Sequence, residues 1–148
     1  VYLLGNKTYF SLKNVQKIAK QDNLDVILVT ANEASKFSFY PQEFPTINEW
    51  LGLYNNAKYI FTNSFHGTVF SLIFNKPFST LLQTGKFQGQ NTRILSLLES
   101  FNLVNRIIDC NFIKLDTDID WQLVNKKLCE IRLKSPFVKY IEKICDKR

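Results

Sequence analysis

The stretch Lys58–Phe78 constrains the fold more than any other part of the chain. It opens on a short β-prone apolar run, Tyr59-Ile60-Phe61, which reads as a buried strand. Small polar residues follow at Thr62, Asn63 and Ser64, then His66, Gly67 and Thr68, and then a second apolar run from Val69 to Phe74. Asn75-Lys76-Pro77 ends that run, because the residue before a proline is pushed out of helical geometry. The pattern is strand, tight turn, helix. The chain's one histidine falls at the turn.

A turn of this kind has electrostatic consequences. The first N–H groups of a helix lack partners inside it, and the helix dipole is positive there, so anions bind readily. In open α/β sheets ligands gather beyond the carboxyl ends of the strands. His66 can serve there as a general acid or base, or as a donor to an anion; equally, backbone groups can satisfy both its nitrogens. Ser64 and Thr68 can donate to an anion, or act as helix cap and first-turn residue. Gly67 can admit a ligand, or let the helix approach the sheet closely. Asn63 can orient His66, or simply form the turn.

The flanking sequence extends the α/β pattern. Val1–Leu4 is expected to be a strand, Gly5-Asn6-Lys7 a turn, and Ser11 the cap of a helix with Leu12, Val15, Ile18 and Ala19 inward. Asp22-Asn23 ends that helix, and Asp25–Thr30 forms a second strand. A loop is expected from Ala31 to Pro45. Thr46-Ile47-Asn48-Glu49 spells a capping box, followed by an apolar face of Ile47, Trp50, Leu51, Tyr54 and Ala57. After the central stretch, Pro77–Leu82 reads as a strand and Gln83–Gln90 as a loop. Gly85 and Gly89 fit neither the P-loop nor the dinucleotide spacing.

Asn91 is expected to cap a helix with Ile94, Leu97, Leu98 and Phe101 inward. Arg93 then falls in its first turn, where a cation is unfavourable unless an anion sits nearby; the alternative is a solvated surface arginine. Residues 102 to 118 read as irregular, with an apolar patch at Ile107-Ile108. A helix through Trp121, Val124, Leu128 and Ile131 follows, then Ser135-Pro136 and a last helix carrying Phe137, Tyr140, Ile141 and Ile144. Trp50 and Trp121 read as core. The fold class is α/β, a Rossmann-like parallel sheet flanked by helices. The 148 residues form one domain, with a helical tail over residues 119–148.

Composition excludes several functions. The net charge of +6 comes from scattered lysines and arginines with no dense stripe, which argues against nucleic acid and fits an anionic small ligand or an anionic membrane surface. Cys110, Cys129 and Cys145 are far apart and reading as reduced thiols places the protein in the cytosol. With one histidine and no Cys-x-x-Cys, no metal site is expected. Ser64 lacks the Gly-x-Ser-x-Gly context of a hydrolase nucleophile. The chain has no methionine and opens on a strand-like run, so we expect a lobe of a longer protein.

The residues from Glu49 to Phe78, with Ser64-Phe65-His66-Gly67-Thr68 at their centre, resemble the C-terminal half of bacterial polysaccharide pyruvyl transferases. Asn91–Arg106 resembles that family's helix after a mobile loop, so the likeness spans about residues 46 to 108. It implies one Rossmann-like lobe of a two-lobe, GT-B-like enzyme, inactive without its N-terminal lobe. It implies transfer of a pyruvyl group from phosphoenolpyruvate, with no cofactor, to hydroxyls of a sugar or lipid-linked oligosaccharide in exopolysaccharide, capsule or cell-wall synthesis. The reaction would occur in the cytoplasm, at the inner face of the membrane. His66 would carry the catalytic proton. Asn63, Ser64, Phe65, Gly67, Thr68 and Arg93 would line the substrate. Relatives outside the Ser-Phe-His-Gly group carry an arginine at the position of Ser64, so here other cations must meet the donor's charge. A nucleotide-sugar glycosyltransferase of GT-B type and a non-catalytic binding or assembly module are the alternatives.

Overall fold

A computed structural model describes residues 9–29, 42–43, 46–83, 85–108 and 115–136. The chain divides into two compact units, Val1–Asp118 and Ile119–Arg148. In the first unit the order is α1 (Tyr9–Gln21), β1 (Leu28–Val29), β2 (Gln42–Glu43), α2 (Ile47–Asn56), β3 (Ile60–Thr62), α3 (Phe65–Ile73), β4 (Phe78–Leu81), a 3-10 turn (Gly85–Gln90), α4 (Asn91–Ser100), a second 3-10 turn (Val104–Arg106) and β5 (Ile107–Ile108). The fold is mixed α/β. Its centre is a three-stranded parallel sheet in the order β3-β4-β5, with Ile60 opposite Phe78, Thr62 opposite Thr80, and Thr80 opposite Ile107. A separate parallel pair joins β1 to β2, Leu28 opposite Gln42.

Helices flank the sheet. Val15 of α1 packs with Tyr59 and Phe61, with Val26, Ile108 and Leu115 around them. Leu72 of α3, Phe78 of β4, and Ile94 and Leu98 of α4 are almost fully buried. Helix α2 meets α3 through aromatic rings: Trp50 stands edge-on to Phe70 at 4.8 Å, and Tyr54 lies near both Phe70 and Phe74. Such pairs add to the burial of their area.

The helix ends follow one rule. Asn23, Asn75 and Asn102 have φ of 53°, 52° and 56°. Each stands just past the cap residue, and the next residue's N–H reaches back to the start of the last turn. Leu24 donates to Ala19 O, Lys76 to Ser71 O, and Leu103 to Leu98 O, at 2.8–2.9 Å. This is the Schellman arrangement with asparagine in the left-handed position that glycine usually takes. Helix α2 begins on the expected capping box: Thr46 Oγ1 accepts from Glu49 N, and Glu49 Oε2 accepts from Thr46 N at 2.8 Å. The hydrogen bonds from Thr46 hold the Glu49 carboxyl below its ordinary pKa.

Several local expectations are corrected. Helix α1 starts at Tyr9, so Ser11 lies inside it rather than at its cap. Gln42-Glu43, expected within a loop, forms β2; two residues between prolines are too few for any alternation to show. The second strand shrinks to Leu28-Val29. Ile47 is 79% exposed, because it stands in the first turn of α2, ahead of the contact with α3. Gly85–Gln90 winds into a 3-10 turn rather than a loop, entered through Gly85 at φ +68°. Ile107-Ile108 is not an irregular patch but the third strand, paired to Thr80-Leu81. Val1–Leu4 and its turn lie outside the described residues.

In the second unit, α5 (Trp121–Lys134) is capped by Asp120, whose Oδ1 accepts from Leu123 N at 3.0 Å. Val124 is buried, but Ile131, expected inward, is 47% exposed. Ser135 is extended before Pro136, which ends the helix. The last expected helix lies outside the described residues. Among them, Cys129 is a free, exposed cysteine, and no helix is long and apolar enough to cross a membrane.

Two features secure the sheet at opposite ends. At the amino ends of the strands, Arg106 is buried; its guanidinium donates to Asp116 Oδ2 at 2.6 Å and to Asp116 O at 2.7 Å. Tyr59 OH shares a hydrogen bond with Ser79 Oγ at 2.7 Å and accepts from Asp116 N. At the carboxyl end of β3, Gly67 passes so close that a Cβ there would overlap Thr62 Oγ1.

Three stability outcomes follow. Asp116→Ala strands a buried cation and should lower stability by about 2–4 kcal/mol in urea unfolding; a loss under about 0.5 kcal/mol would rank the pair with exposed ones. Gly67→Ala should cost about 1–3 kcal/mol by overpacking, although alanine favours helix over glycine by about 1 kcal/mol. Burial, opposed by the Ser79 and Asp116 hydrogen bonds and by Arg106, raises the Tyr59 pKa above 10.0. The neutral phenol therefore favours the folded state. Its contribution is complete below about pH 10 and declines as the pH rises through the folded-state value, so Tyr59→Phe should flatten the alkaline limb of urea stability measured against pH.

Candidate active site

The site is built where β3 hands over to α3. Thr62 is the last residue of β3, and its Oγ1 accepts from Ser64 N at 3.1 Å, which folds the turn. Ser64 is extended at φ −101°, ψ 137° and caps α3, its Oγ accepting from Gly67 N at 3.4 Å. Thr68 Oγ1 donates to Ser64 O at 3.0 Å and lies 3.2 Å from Thr80 Oγ1 on β4. Ser71 Oγ donates to Gly67 O at 2.8 Å. Thr62, Thr68, Ser71 and Thr80 are completely buried, so these hydroxyls hold strand to helix and helix to neighbouring strand. Asn63 and Ser64 are buried as well, and Gly67 is pressed against Thr62.

Two of the expected residues reach solvent. His66 is exposed in the first turn of α3, just beyond the carboxyl end of β3. Arg93 is exposed in the first turn of α4, beyond the carboxyl end of β4. Phe65 is half-buried between them. The Arg93 guanidinium carbon lies 5.1 Å from the centre of the Phe65 ring, and the Phe65 and His66 rings meet edge-on at 5.8 Å. The cation therefore rests on an aromatic face, an attractive contact. His66, Phe65 and Arg93 thus form one cluster, backed by the buried Asn63, Ser64, Gly67 and Thr68.

The electrostatics of this edge are one-sided. Neither α3 nor α4 carries an acidic residue in its first turn, whereas α2 has Glu49 there. Two positive helix ends, an arginine and an imidazole share the same rim, an arrangement suited to an anion. Among the described residues no three His, Cys, Asp or Glu side chains gather as a metal ion would require.

Two nearby amides have partners that the sequence reading missed. Asn91 is not the cap of α4: Gln90 holds that position without a side-chain bond. Instead Asn91 Oδ1 accepts from Gln83 N at 2.9 Å, and Asn91 Nδ2 donates to Gln83 O at 2.8 Å. Gln83 Nε2 donates to Asn63 O at 3.0 Å. Residue types alone cannot distinguish an asparagine capping its own helix from one bonding eight residues back.

Comparison with known families agrees with this geometry. A family model described as polysaccharide pyruvyl transferase matches residues 4–81, more than half of the chain. The match begins well before the stretch that carried the resemblance and ends on Leu81, the last residue of β4, so it includes His66 and its turn but not Arg93. No curated protein and no solved structure matches. The family implies a transferase of the polysaccharide-pyruvylating type, with a polysaccharide acceptor. The chain belongs to the polysaccharide pyruvyl transferase family.

Proposed function

We propose that this chain binds phosphoenolpyruvate at the His66 rim and serves transfer of its pyruvyl group to sugar hydroxyls of a bacterial exopolysaccharide, capsule or cell-wall polysaccharide precursor. The observation that carries the reading is the position of the one histidine: exposed in the first turn of α3, within a match to this family, with Arg93 held beside it over Phe65. The donor carries a phosphate and a carboxylate. Arg93 and the positive ends of α3 and α4 supply complementary charge where Ser64 offers none.

The chemistry asks for a proton at carbon. His66 in its charged form gives a proton to the methylene carbon of the donor, which becomes the methyl group. The adjacent carbon becomes electron-poor, and a sugar hydroxyl attacks it. Departure of phosphate then lets a second hydroxyl of the same sugar close the ketal, and the hydroxyl protons balance the one donated and the one carried away with phosphate. We take the acceptor to approach from the open side of this rim. A second Rossmann-like lobe, in the manner of GT-B-like enzymes, would close the cleft, with the reaction at the cytoplasmic face of the membrane.

The deciding measurement is phosphoenolpyruvate-dependent ketal formation on an oligosaccharide acceptor by the complete enzyme that contains this chain. His66→Ala should lower turnover about a hundredfold or more while the fold survives, since the ring is exposed. Unchanged turnover would remove His66 from the mechanism.

A further inference from the structure

A short chain of amides crosses the carboxyl ends of β3 and β4. Asn91 is buried at the first residue of α4, and both its polar atoms are bonded to the backbone of Gln83, just past β4. The Gln83 side chain points the other way and donates to the carbonyl of Asn63, just past β3. The links Asn63–Gln83–Asn91 therefore join the turn that starts α3 to the first turn of α4.

Closing the loop between β4 and α4 requires only the Gln83–Asn91 half. The second half, from Gln83 to Asn63, fixes something else, namely the separation of the two first turns. Arg93 follows Asn91 by two residues, and His66 follows Asn63 by three. An exposed arginine has a long flexible stem, and it is held over one ring only if its helix is held. The choice of amides also matters. A carboxylate at position 91 could accept from Gln83 N but not donate to Gln83 O, one at position 83 could not donate to Asn63 O, and either would cancel part of the positive field of two helix ends. Asparagine and glutamine clasp the rim without adding charge.

We infer that Gln83 and Asn91 are positioning residues: their amide clasp sets Arg93 over Phe65 and beside His66, so that both reach one anion. That the anion is the pyruvyl donor rests on the function proposed above. The geometric part is tested without any ligand, in the 148-residue chain, from the ring-current shift that Phe65 imposes on the Arg93 δ-methylene and Nε–H proton resonances. Phe65→Leu supplies the unshifted reference. Gln83→Met removes only the side-chain link and leaves the backbone bonds to Asn91, so it keeps the test open should Asn91→Ala fail to fold. Both variants should move the Arg93 signals at least halfway to the reference. Unmoved signals in Gln83→Met overturn the clasp.

Affinity supplies the second readout. Calorimetric binding of phosphoenolpyruvate should weaken about tenfold in Gln83→Met, the scale of one charge-assisted hydrogen bond. In an Arg93→Ala background the same change should cost nothing further. Equal losses with and without Arg93 would show that Gln83 merely supports the fold, and would also overturn the proposal. A wild-type chain that binds inorganic phosphate but not phosphoenolpyruvate would count against the donor reading alone, and the proton resonances would still decide the clasp.

Discussion

The close seating of α3 on the end of β3 is the constraint on which the rest depends. Gly67 passes within contact of Thr62 because it has no side chain, and that approach brings Ser64 into capping position and Thr68 up to Thr80. The layer that results is polar but dry. Thr62, Ser64, Thr68, Ser71 and Thr80 exchange hydrogen bonds with each other and with nearby backbone, so a buried set of hydroxyls carries no unmet demand at these contacts. Hydroxyls fix orientation in a way that methyl groups cannot. The first turn of α3 is therefore aimed, and the side chain it presents to solvent is aimed with it.

What this scaffold presents is two helix starts with no acidic residue in their first turns and an arginine beside them. A cation in the first turn of a helix opposes the dipole, and α4 tolerates Arg93 there because the Phe65 ring offers a negative face. The opposite edge of the sheet has the reverse logic. There the buried Arg106 is met by Asp116, with Tyr59 and Ser79 completing the network. A cation with a fitted carboxylate holds the fold together; a cation resting on a ring retains most of its capacity to bind an anion. The two arginines have the same chemistry, and partnership alone separates their roles.

That difference also explains how far the sequence could be read. The capping box at Thr46–Glu49, the strand–turn–helix from Tyr59 to Phe74, and the strand after Pro77 were legible because each is written in residues adjacent to one another. So were the asparagines that end α1 and α3, Asn23 in the polar stop Asp22-Asn23 and Asn75 directly after the apolar run Val69–Phe74. The features that stayed hidden are set by partners far along the chain. Ile107-Ile108 is a strand only because Thr80-Leu81 lies alongside, and Arg106 is buried only because Asp116 folds back onto it. Asn91 has the right residue type for a cap, but a competing partner at Gln83 takes both its polar atoms. Gln42-Glu43 is too short to have any pattern of its own.

The central block therefore encodes two things in different residues. Ser64, Gly67 and Thr68 are consumed in making the turn: one caps, one permits approach, and one ties the helix to the next strand. Only Phe65 and His66 are left facing outward, and Phe65 is engaged by Arg93. A block of five residues thus has the specificity of a motif chiefly because the turn is demanding, while the chemistry proposed for the rim rests on the imidazole. The same geometry with another residue at position 66 would still fold and still offer two helix ends to an anion, but it would have no side chain there to move a proton. In the proposed reaction, binding on this rim would follow from the fold, and proton transfer would depend on a single side chain placed upon it.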